Sequence, residues 1–96
     1  MMKLKLELPT GQKAIEHPPF HQTYLNDGSP WLQFYRIDGQ ILLRFPDYAD
    51  FYVTEDAETV RCTPSETATS DTVEHLFHNQ VAPMVLNKRG MPVFHG

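Results

Sequence analysis

The dipeptide Asp38-Gly39 lies between two β-rich runs, Trp31-Leu32-Gln33-Phe34-Tyr35-Arg36-Ile37 and Gln40-Ile41-Leu42-Leu43-Arg44-Phe45. A two-residue hairpin connection needs positive φ at both central positions, and Asp-Gly is among the pairs that supply it most cheaply. The runs are therefore expected to be adjacent antiparallel strands, which commits the middle of the chain to a sheet. Pro46-Asp47 ends the second strand. Asp50-Phe51-Tyr52-Val53-Thr54 reads as a third strand, and Thr59-Val60-Arg61-Cys62-Thr63 as a fourth that Pro64 stops. Short consecutive strands with tight turns imply an antiparallel meander over residues 31–63.

Upstream, Lys3-Leu4-Lys5-Leu6-Glu7-Leu8 alternates charged and apolar side chains with period two, the pattern of a strand with one wet face over residues 3–8. Residues 9–30 carry few periodic apolar positions, breaks at Pro18-Pro19 and Pro30, and the turn signal Asn26-Asp27-Gly28-Ser29. They read as an irregular loop that is either functional or hides a short element such as Gly11–Glu16. Downstream, Ser70 or Asp71, with Glu74 completing a capping box, starts a helix over residues 70–89. Its apolar stripe is Val73, Leu76, Phe77, Val81, Met84 and Val85, and Pro83 inside it should kink or restart the helix near Asn79 to Ala82. Lys88 and Arg89 suit the negative end of the helix dipole, Gly90 suits a C′ position, and residues 91–95 form a short apolar strand. The fold class is α+β. Four to six short strands in a meander pack against one C-terminal amphipathic helix, which a terminal strand follows.

A chain of 96 residues fits one small domain, and 41% hydrophobic content is ample for a folded core. The net charge of -4, with scattered basic residues, argues against nucleic-acid binding. Between Asp47 and Glu74 eight carboxylates face one base, Arg61. That patch should attract basic partners, although a solvated acidic surface is the commoner role. One cysteine, Cys62, excludes an internal disulfide and reads as a small buried residue in a strand. No apolar run is long enough for a signal peptide or a membrane span, so the expectation is a cytoplasmic protein without membrane contact.

The histidine pairs His75/His78 and His17/His21 are the obvious metal or acid/base material, but nothing in the sequence brings the pairs together, and no metal site is assigned. Among the aromatic residues of the β region, Tyr35 and Tyr52 are the candidate binding residues, provided that they are exposed on one face; a core role is the commoner alternative. His95-Gly96 closes an apolar strand, the position where α/β folds gather catalytic groups. The 96 residues contain no G-x-x-x-x-G-K-[ST], G-x-G-x-x-G, G-x-S-x-G or H-E-x-x-H motif.

The order of strands, loop and helix Thr72–Leu86, followed by Arg89-Gly90-Met91-Pro92-Val93-Phe94-His95-Gly96, resembles the N-terminal part of HPr-kinase-like serine kinases. The resemblance covers residues 31–96. In that family the Arg-Gly and the apolar strand ending in His plus a small residue lead into a P-loop kinase core related to phosphoenolpyruvate carboxykinase. The resemblance implies a non-catalytic N-terminal module, a fragment or one half of a split enzyme, that supports a kinase core and helps recognise a phosphoacceptor. ATP and magnesium would belong to the complete kinase and not to this chain, which is expected to be inactive alone. His95 and Gly96 would then stand at the mouth of the nucleotide site. The expected partner is a kinase core domain or second chain, and an unpaired terminal strand would also offer a route to a homo-oligomer. Two other readings stay open: a free-standing adaptor that holds a basic peptide or protein, and a small His-dependent metal protein.

Overall fold

The computed structural model describes residues 3–55 and 58–86. Six strands, β1 (Lys3–Leu6), β2 (His21–Tyr24), β3 (Pro30–Ile37), β4 (Gln40–Phe45), β5 (Ala49–Val53) and β6 (Thr59–Pro64), form one sheet in the order β1-β6-β5-β4-β3-β2. The hairpin at Asp38-Gly39 is present, with φ of 49° and 77° at its two central residues, as a turn of this length demands. Asp47 also adopts a positive φ of 71° in the turn between β4 and β5. Neighbouring strands from β2 to β6 run antiparallel, but β1 pairs with β6 in parallel, so the sheet is mixed and not the pure antiparallel meander that the short turns imply. No tight turn joins β1 to its partner, so local turn chemistry could not report its direction. Its apolar face does find a place: Leu4 and Leu6 lie opposite Val60 and Cys62 and continue the core face outward.

Alternate residues of β3 to β6 build that face, with Phe34, Leu43, Phe45, Phe51, Val53, Val60 and Cys62 all essentially sealed from solvent. The helical segment α1 (Ser70–Leu76), α2 (Phe77–Val81, a π turn) and α3 (Ala82–Leu86) lies against it and adds Val73, Leu76, Phe77, Val81 and Val85 to the same core. Thr69 caps the start, its side chain accepting a hydrogen bond from the Thr72 amide at 3.1 Å. The cap is thus one residue ahead of Ser70 and two ahead of Asp71. The expected break before Pro83 takes the form of the π turn, in which the Ala82 amide donates to the Phe77 carbonyl.

Residues 9–20 are not a free loop. The Thr10 amide donates to the Pro64 carbonyl beside β6. The Gln12 side chain donates to Asp50 on β5 and to the Phe45 carbonyl on β4, the Arg44 Nη1 donates to the Lys13 carbonyl, and the His17 ring meets Tyr35 on β3 edge-on at 5.8 Å. The segment crosses the sheet strand by strand on the face opposite the helix and then turns into β2, an element that the sequence reading placed inside a loop. No helical element forms over Gly11–Glu16. The expected terminal strand 91–95, the caps at Lys88, Arg89 and Gly90, and the His95-Gly96 pair lie outside the described residues.

Candidate functional site

Cross-strand register places Tyr35, Leu42, Tyr52 and Arg61 in one row on the sheet face opposite the helix. Tyr35 and Tyr52 therefore share a face, as period two requires. They do not form an exposed platform. Tyr35 is only 7% exposed, with His17 of the crossing segment against its ring, and Tyr52 is half-buried with the Arg61 guanidinium 4.6 Å above its ring. Burial, followed by the nearby Asp50 carboxylate, raises the Tyr52 phenol above its ordinary range. The expectation of two tyrosines exposed on one face is thereby corrected: Tyr35 is buried under the crossing segment, and only Tyr52 reaches the surface.

Beside Tyr52 the same face opens into a polar cleft of about 180 Å³, lined among others by Glu7, Lys13, Arg44, Asp50 and Arg61. Its centre is the ion pair of Arg44 and Asp50. Arg44 Nε reaches Asp50 Oδ1 and Nη2 reaches Oδ2, each at 2.9 Å, with both side chains largely buried. The bidentate bond to Asp50 raises the Arg44 pKa further above its already high value. Glu7 accepts from Thr63 at 3.1 Å and lies 3.7 Å from Arg61, an exposed contact that contributes little. Most of the polar capacity of the cleft is spent within the chain, which suits a locked connection better than a vacant receptor.

A second opening lies on the helix side, where the start of β3, the turn before β5 and the first turns of the helix meet. It holds about 360 Å³ and is lined by Trp31, Tyr48, Asp71, Thr72, His75 and Leu76. Trp31 packs T-shaped with Phe45 at 5.2 Å, which fixes the indole, and with Tyr48 at 6.1 Å with the ring planes at 70°, so that indole and phenol make a corner. Tyr48 is 43% exposed. His75 of the opposite wall is held by Asn79, whose side-chain amide nitrogen donates to the His75 carbonyl at 3.0 Å and lies 3.2 Å from His75 Nδ1. Sequence reasoning named neither Trp31 nor Tyr48 as binding residues. The density of aromatic residues was a signal, but which of them meet depends on a turn and a helix start far apart in the chain.

Cys62 is sealed in the core, and burial pushes its thiol up to about 12, which makes it a packing residue and no nucleophile. His75 and His78 are exposed on the helix, the latter against the Phe77 ring, while His17 and His21 contact Tyr35 and Phe34. Among the described residues no group of three His, Cys, Asp or Glu lies close enough to hold a metal ion, and no helix is long and apolar enough to cross a membrane. His95 and Gly96 lie outside the described residues. No known protein family, curated protein or solved structure matches this chain.

Proposed function

We propose that this chain is the non-catalytic N-terminal module of an HPr-kinase-like protein, a cytoplasmic part that supports an ATP-dependent kinase core and helps recognise the phosphoacceptor. The observation that carries this reading is the order of elements. Strands β3 to β6 are followed by one helical segment that closes the core, and that segment leads toward Arg89-Gly90 and the apolar run ending at His95-Gly96. In this role the module presents a rigid sheet and helix to its partner while ATP, magnesium and the phosphoryl-transfer residues are held elsewhere. The mixed sheet suits such support, because the helix packs on one face and the segment over residues 9–20 crosses part of the other.

The test is genetic and then biochemical. A reading frame that continues past codon 96, or an adjacent frame, is expected to encode G-x-x-x-x-G-K-[ST], and the separately expressed product of that frame is expected to bind this chain in size-exclusion chromatography. A stop codon with no such motif in either frame, or two products that never co-elute, would overturn the assignment.

A further inference from the structure

We propose that the corner of Trp31 and Tyr48, with Asp71 across from it, is a seat for the arginine side chain of a basic partner peptide. The inference stands on the chemistry of the slot alone and holds whether or not a kinase core follows. Two aromatic faces at 70° to each other offer a flat cation a ring to stack on and a ring to abut. Asp71 is the one carboxylate among the described lining residues, and no lysine or arginine lines the opening. Leu76, 4% exposed, makes an apolar floor for the methylene stem. The helix start contributes a partial positive charge nearby, but the full charge of Asp71 at the rim outweighs it.

Arginine is favoured over lysine because the planar guanidinium can stack on a ring and present a fork to a carboxylate at once, whereas an ammonium does one or the other. The surroundings agree in sign. Asp47 precedes Tyr48 in its turn, and Glu74 follows Asp71 on the helix; both are exposed. The expected seat for a basic peptide therefore moves from the Tyr35/Tyr52 face, where Tyr35 is buried, to the helix side of the sheet.

Trp31 is the chain's one tryptophan, so its indole N–H gives a single resonance that reports the slot directly. Titrating ¹⁵N-labelled chain with acetyl-Gly-Arg-Gly-amide should move that resonance saturably, and the same peptide with citrulline, neutral and nearly the same shape, should not. Asp71→Asn and Tyr48→Ala should each weaken binding by about fivefold, the worth of one exposed charge or one cation-aromatic contact. Tyr48→Phe should retain binding, and Glu16→Gln, which removes the same unit of charge from the opposite side of the sheet, should leave it unchanged. All four variants should keep the dispersed amide spectrum of the folded chain. Equal shifts from the citrulline peptide, no saturable movement at millimolar arginine peptide, or an affinity unaltered by both Asp71→Asn and Tyr48→Ala would overturn the proposal.

Discussion

Arg44 and Asp50 meet across β4 and β5 on the face that lacks the helix, and three further groups lean on the pair: the Gln12 amide, the Lys13 carbonyl and, through Gln12, the Phe45 carbonyl. Removing one member of a buried pair leaves the other charge desolvated and unmatched, which typically costs about 3–5 kcal/mol, whereas replacing both with apolar residues of similar volume is often close to neutral. Asp50→Ala is accordingly expected to lower unfolding stability by that amount in urea titrations, and Arg44→Met with Asp50→Leu to recover most of it. A double variant as unstable as the single one would show that the pair itself, and not the stranded arginine, sets the cost. At this scale the sequence was partly legible. The sequence makes Tyr35 and Tyr52 binding candidates if both are exposed on one face; the register does put them on one face, but Tyr35 is buried. What covers Tyr35 is part of a segment with no periodicity of its own, which reaches the sheet through contacts separated by 31 to 38 positions.

Along the helical segment the sequence marked the element well and its details less well. The apolar stripe predicted the buried face residue by residue, with Met84 half-buried at its margin. In a regular α-helix Val85 would lie about 120° round the axis from Val73. The π turn spends an extra residue over Phe77–Val81 and so retards the rotation, which lets both valines face the sheet. Pro83, which has no amide to offer the preceding turn, is the local reason that a departure is tolerated there. The cap was misplaced because Thr69, Ser70 and Asp71 are all competent and only the backbone decides among them. Thr69→Ala should cost about 1 kcal/mol, while Ser70→Ala should remain within about 0.5 kcal/mol. Chemical denaturation midpoints compare the two, and a larger loss for Ser70→Ala would place the cap where the sequence alone suggested.

Taken whole, the sheet is covered by the helix on one face, crossed by residues 9–20 on the other, and held at one margin by β1, a strand of four residues whose leucines are only partly covered. Deleting residues 1–8 should lower stability by roughly 1–3 kcal/mol, the worth of one or two partly buried leucines. It should preserve a cooperative transition and the environment of Trp31, which packs against Phe45 on the far side of the sheet. Loss of the cooperative transition would mean instead that β1 is integral to the core. The parallel pairing also has a consequence for biogenesis. Lys3 meets Thr59, 56 positions later, so at about 5–20 residues per second β1 waits several seconds outside the ribosome before its partner is made. The lysines that alternate with Leu4 and Leu6 keep that waiting segment hydrated until β6 exists for it to pair with.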